Sequence, residues 1–214
     1  MSLSDKARAL ILEHEGFVAR PSFPGGQSGV TIGIGYDLGY ATRQSFRADW
    51  QDYLPSTWLD RLTKAIGVTG AKAKDLLPSF MDIRITPHAA IVVFEKKTLP
   101  RYLNMCRAAF EGFSLLPADA QGALVSLVFN RGTRMTDKSP AIEERREMRA
   151  IHAAIAGLAS SMFSLDDTLR EIAAELRSMK RLWDGSLPPP YDAKMGGLVR
   201  RREDEALLVE SCIS

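Results

Sequence analysis

The sequence predicts a mostly helical α+β fold in which a small β-hairpin lobe packs against a helical lobe. Three observations carry this prediction. Apolar residues recur at helical spacing along most of the 214 residues. One stretch, residues 17–40, breaks the pattern with six glycines, two prolines and the β-prone patch Val30-Thr31-Ile32. No internal repeat is visible, and the 45% hydrophobic and 25% charged fractions are those of an ordinary globular chain. We therefore expect one domain over 1–214, with its β lobe at about 17–40 and the remainder helical.

The elements follow in order. Residues 4–15 place Ala7, Leu10, Ile11 and His14 on one helical face, and Gly16 supplies a stop. In the glycine-rich stretch, Gly33-Ile34-Gly35 is expected to form a tight hairpin loop that pairs Ile32 with Tyr36 and Thr31 with Asp37. Helical patterns resume near Thr42 and after Pro55-Ser56. Thr86-Pro87 combines a hydroxyl cap with a first-turn proline, so a helix should run from there to about Thr98, where Pro100 breaks or kinks the path. Pro117 opens a segment reaching Asn130 that is apolar nearly all round, the expected central buried helix. Further helices are expected at 141–156, 166–183 and 196–211, the last two separated by Pro188-Pro189-Pro190. The run Glu143-Glu144-Arg145-Arg146-Glu147 reads as a solvated helix face.

Several function classes fall away. No run of eighteen apolar residues is present, so no membrane insertion is expected. The first residues lack the basic start and apolar stretch of a secretory signal, which points to synthesis in the cytoplasm. Cys106 and Cys212 show neither metal spacing nor a disulfide framework and read as two reduced thiols. A net charge of +2 without a basic, aromatic-interleaved stripe argues against nucleic acid. His14, His88 and His152 are scattered, so no metal and no cofactor is expected. Gly26-Gln27-Ser28 does not continue into a nucleophile elbow, because position 30 is Val. Gly33-x-Gly35 lacks the third glycine of a dinucleotide site.

The chemistry concentrates in the first forty residues. Glu15 falls between Ile11 and Leu12 on the helical wheel, whereas Glu13 falls beside Ala9 and Lys6, away from the main apolar face. Glu15 also sits in the last turn, at the negative end of the helix dipole. Partial burial and that dipole both favour a protonated carboxyl, which is what a general acid needs. A glutamate at a frayed helix end is the plainer alternative. On a straight strand Thr31 and Asp37 would lie roughly 20 Å apart, too far for one site. In the expected hairpin they are directly opposed, with Cβ atoms ~5 Å apart, and together they can hold and deprotonate one water molecule. An ordinary polar cross-strand pair is the alternative there. Glycoside hydrolysis needs two acidic groups, ~6.5–9.5 Å apart for inversion and ~5–5.5 Å apart for retention. Glu15 and Asp37 fit the two roles.

Three segments resemble the phage-type lysozymes. Glu15-Gly16 followed by Thr31-Ile32-Gly33-Ile34-Gly35 looks like their N-terminal signature. The segment from Ala123 to Gly132 looks like their central helix with its Asn/Gly ending, and Gly197 to Glu205 is similar to their C-terminal Gly-Leu-x-x-Arg-Arg-x-x-Glu helix. The matches occur in family order and span residues 15–205. One departure is informative. Phage lysozymes place the catalytic aspartate before the threonine, but here no acid lies between Glu15 and Thr31, and Asp37 follows it instead. That arrangement resembles the muramidase domain of the bacteriocin pesticin and its bacterial relatives.

The resemblance implies a lysozyme-like fold and an inverting muramidase. Glu15 would be the acid, Asp37 the base, and Thr31 would position the water. It also implies that one of the arginines 200 to 202, Arg201 foremost, supports Glu15, a solvated helix face being the plainer alternative for that cluster. Gln27, Tyr36 and Asn130 are candidate substrate-binding residues. Each has a plainer alternative: a solvated loop side chain, hairpin packing, and a helix-terminus hydrogen bond. Peptidoglycan is the implied partner, met at the cell wall (periplasm) after release or delivery by a monomer. A phage lysis protein, a secreted effector and a bacteriocin fragment all fit, the latter two with a delivery system or an immunity protein. A lytic transglycosylase and a non-catalytic wall-binding protein are the rival readings.

Overall fold

The computed structural model describes residues 3–214; Met1 and Ser2, the start of the N-terminal segment read above, lie outside them. Among the described residues the chain is mostly helical, as the hydrophobic pattern predicts, and the expected hairpin is part of one small antiparallel sheet of three strands. It divides into two compact units, one comprising Glu15–Arg101 and the other the N-terminal segment to His14 with Tyr102–Ser214. The first boundary falls at the end of helix α1 (Asp5–Glu15), the second inside helix α6 (Leu99–Ala109).

In the Glu15–Arg101 unit the sheet order is β1 (Val18–Ser22), β2 (Thr31–Gly33), β3 (Tyr36–Asp37). The hairpin has the expected register, with Thr31 opposite Asp37 and Ile32 opposite Tyr36. Gly33 and Gly35 flank its tip with φ of 61° and 59°, the left-handed region that glycine enters without steric cost. Gly33 meets a second constraint, because a Cβ there would lie 2.9 Å from the Trp50 ring. Strand β1 contains Pro21, which this edge strand tolerates because no further strand in the sheet needs the N–H that proline lacks. That proline is why β1 is hard to see in the sequence. Helix α2 (Arg43–Trp50) opens on a capping box in which the Thr42 side chain takes the Ser45 N–H and Ser45 reciprocates. Helices α3 (Ser56–Leu62) and α4 (Ala71–Leu76) follow, then α5 (Pro87–Val93) capped by Thr86. Ile32, Leu38, Phe46, Trp50 and Val93 are among the buried side chains of this unit.

Pro100 does not break the helix. Residues Phe94–Thr98 adopt a π-helical turn, the Leu99 N–H reaches back to the Phe94 carbonyl, and α6 continues through Pro100. A widened turn makes room for the ring that would otherwise strike the carbonyl four residues earlier, so the helix survives where the sequence suggests an interruption.

In the other unit, helix α7 (Ala118–Arg131) is the expected central helix, with every residue from Ala120 to Val128 buried. Helix α9 (Leu165–Ser178) packs on both α8 (Arg146–Ala159) and α10 (Gly196–Glu210), and α10 also packs on α7. Helix α1 comes close enough to α7 that a Cβ on Gly122 would lie 2.0 Å from the Ala7 Cβ. The acidic-basic run at 143–147 is not a solvated helix face. Helix α8 begins only at Arg146, and Glu144, Arg145 and Glu147 are buried. The Glu144 carboxylate accepts hydrogen bonds from the Lys138 and Ser139 amides and from Arg134. Glu147 accepts from Arg181 Nε at 2.6 Å. Buried charges persist only when so matched, and these partners lie outside the run itself.

Candidate active site

Thr31 and Asp37 lie side by side because the hairpin folds back at Gly33-Ile34-Gly35. The Thr31 side chain is nearly buried, and Asp37 is half-buried. Asp37 has a second structural role. Its side chain caps the short 3-10 turn Leu38–Tyr40 by accepting the Gly39 N–H at 2.8 Å. The Gly29 N–H points at both carboxylate oxygens, 3.0 Å from each. Burial pushes the Asp37 carboxyl above its ordinary value, against the opposing pull of the Gly29 and Gly39 amides. A carboxylate made more basic in this way, beside a hydroxyl, suits the activation of a water molecule.

Two glycines make this cradle. A Cβ on Gly29 would lie 2.3 Å from Asp37 Oδ1 and 2.3 Å from the Gly39 nitrogen. A Cβ on Gly39 would meet the Gly29 Cα and the Thr69 methyl, each at 2.8 Å. Sequence reasoning sees Gly29 and Gly39 only as loop residues. Their meeting depends on a fold-back across ten positions, and the one available signal is that both flank the Thr31–Asp37 segment. The segment after the 3-10 turn Thr63–Ala65 also contributes, since the Gly67 and Gly70 N–H groups bond the Leu38 and Ser28 carbonyls.

Glu15 ends helix α1, is half-buried, and belongs to the same compact unit as Thr31 and Asp37. Gln27 lies exposed in the turn before Gly29, where its backbone carbonyl accepts the Tyr40 hydroxyl at 2.9 Å. Tyr36 is not a sugar platform. It is 4% exposed, its hydroxyl donates to Asp49 Oδ2 at 2.8 Å, and its ring stands edge-on to Trp50 at 5.6 Å. Strand alternation is the reason: the register that opposes Thr31 and Asp37 sends Ile32 and Tyr36 to the other face, into the core. Burial, and then Asp49, push the Tyr36 phenol upward, so it stays neutral.

Two predicted residues lie in the other unit. Asn130 is exposed in the last turn of α7 and accepts from Arg202 at 3.3 Å. Arg201 is buried and donates to the Ser126 hydroxyl and carbonyl and to Glu205. It also lines a cavity of about 530 Å3 with Glu13, His14, Lys194 and Arg200. The adjacent Arg202 is fully buried, its guanidinium 5.6 Å from the centre of the Trp183 ring. Among the described residues no group of three or more His, Cys, Asp or Glu side chains is arranged to hold a metal. No helix among them is long and apolar enough to cross a membrane.

A small sheet carrying an acid–hydroxyl pair, in a chain otherwise built of helices, defines a lysozyme-like protein. The family model for pesticin, described as a bacterial toxin homologue of phage lysozyme, C-terminal part, matches residues 8–147, and the chain belongs to this family. The crystal structure of the active form of the P1 phage endolysin Lyz shares the fold, with a TM-score of 0.56 at 19% identity over 99% of this chain and 86% of the endolysin. None of the curated proteins matches by sequence.

Proposed function

We propose that this protein is a peptidoglycan hydrolase that cuts the β-1,4 bond between N-acetylmuramic acid and N-acetylglucosamine with inversion. The observation that carries this reading is the opposed Thr31–Asp37 pair, with its half-buried, upward-shifted carboxyl, in a member of a lysozyme-homologous family. Asp37 takes a proton from a water held against Thr31, and that water attacks the anomeric carbon. Glu15 protonates the leaving glycosidic oxygen. The glycan is cut at cell-wall peptidoglycan, reached after release or delivery.

One observation favours a second reading for Asp37. Both its oxygens already accept amide hydrogen bonds, so it is a strap for the loop whatever else it does. Substitution separates the two roles. Asn caps as well as Asp and keeps an acceptor for the Gly39 amide, but it cannot take up a proton. The measurement is muropeptide release from purified sacculi by the full chain, with mass analysis of the products. Glu15→Gln and Asp37→Asn are each expected to lower the rate by about 10²–10⁴-fold, and the wild type should yield reducing muramic acid ends. Anhydro products would instead assign a transglycosylase. Equal release by wild type and Glu15→Gln would defeat the hydrolase assignment, and full activity in Asp37→Asn would reduce Asp37 to the strap.

A further inference from the structure

We propose that Tyr40 is a sugar-binding platform, its exposed ring packing against the C–H face of a pyranose in the glycan strand. The proposal rests on the glycan-cleaving reading above and names a residue that presents the substrate to it. Tyr40 is 72% exposed, against 48% for Phe163 and 41% for Phe17. A lone exposed apolar side chain would mean little. This ring, however, is fixed in place, and the fixing residues are those of the candidate site.

Tyr40 is the third residue of the turn that Asp37 caps, and the Ala41 N–H closes that turn onto the Leu38 carbonyl. At its far end the phenol donates to the Gln27 carbonyl at 2.9 Å. Gln27 lies two residues before Gly29, whose N–H binds the Asp37 carboxylate. The chain and its hydrogen bonds thus close a circuit: Asp37, Gly39, Tyr40, Gln27, Gly29 and back to Asp37. The Gly70 N–H adds a strap to the same loop at the Ser28 carbonyl. The circuit ties the ring to the carboxylate and removes much of the freedom that an exposed tyrosine would lose on binding. A phenol ring with its polar end already satisfied offers an apolar face, which suits the C–H-rich face of a sugar. The solvent-exposed Gln27 side chain lies on the same loop.

The test measures binding of glycan strands stripped of stem peptides to the full chain, in Tyr40→Ala, Tyr40→Phe and Tyr40→Trp, by titration followed by NMR. Rates on sacculi are measured alongside, and thermal melts confirm folding of each variant. Tyr40→Ala is expected to weaken binding by about tenfold and to raise KM by a similar factor while kcat changes little. Tyr40→Phe and Tyr40→Trp, which keep a ring but lose the bond to the Gln27 carbonyl, should fall between Tyr40→Ala and wild type. Unchanged binding in Tyr40→Ala overturns the proposal. So does a loss in Tyr40→Phe as large as in Tyr40→Ala, because the hydrogen bond and not the ring face would then be responsible. Binding that depends on Tyr40 in a protein that releases no muropeptides upholds the platform and sinks only the hydrolase reading.

Discussion

Asp37 shows how a single side chain carries more than its sequence position reveals. Its carboxyl lies above the ordinary 3.8 because burial outweighs the Gly29 and Gly39 amides. The folded state therefore holds this proton more tightly than the unfolded chain. The stability it contributes is present below 3.8 and is lost as pH rises through the higher folded value. Wild type should accordingly lose stability relative to Asp37→Asn as pH rises above 3.8, a trend that thermal melts across the acid range will show. An opposite trend would mean that the amides prevail over burial. The Thr31–Asp37 pairing itself is legible in the sequence, because two glycines bracketing one residue dictate the fold-back. The Gly29–Gly39 approach is not, since it depends on a loop closing in three dimensions. Tyr36 takes its plainer reading, hairpin packing, for a related reason: an aromatic next to a candidate acid suggests a platform, but strand alternation sends it inward.

Elements were most legible where their signals are local. The Thr42 and Thr86 caps and the all-apolar stretch of α7 sit where propensity and pattern place them. Tertiary partners are what the pattern misses, and the α1–α7 crossing is a case. Gly122 lets Ala7 approach, so Gly122→Ala should destabilise the protein by about 1–3 kcal/mol through overpacking, despite the better helix propensity of alanine. Denaturant titration checks this, and a neutral or stabilising result would mean that the helices separate at no cost. The 132–145 connection is the other case. Burial alone would raise the Glu144 carboxyl, but the Lys138 and Ser139 amides and Arg134 outweigh it and hold the group down at about 2. Its stabilising contribution is present above the ordinary 4.5 and fades as pH falls toward about 2. Acid titration of stability should therefore be shallower in Glu144→Gln than in wild type over that interval, and parallel curves would refute the role.

For the molecule as a whole, the helical class and the small sheet were both visible from one break in the hydrophobic pattern. The distribution of charge was not. A net charge of +2 conceals several fully buried ions, among them Glu147, Arg202 and Glu205. Composition reports how many charges there are, whereas burial depends on which residues far along the chain come to meet them. Glu147 makes this concrete. It has no exposed surface in the folded protein, and Arg181, the partner that grips both its oxygens, lies 34 positions downstream. A nascent chain leaves the ribosome N-terminus first, so α8 emerges with its acid still needing water. Its two bonds to Arg181 cannot form until the turn Met179–Leu182 after α9 has been synthesised. Translation thereby sets the earliest moment at which this helical unit can close around the Glu147–Arg181 pair, and a chain cut short before Arg181 would lack the guanidinium that grips both oxygens of this buried acid.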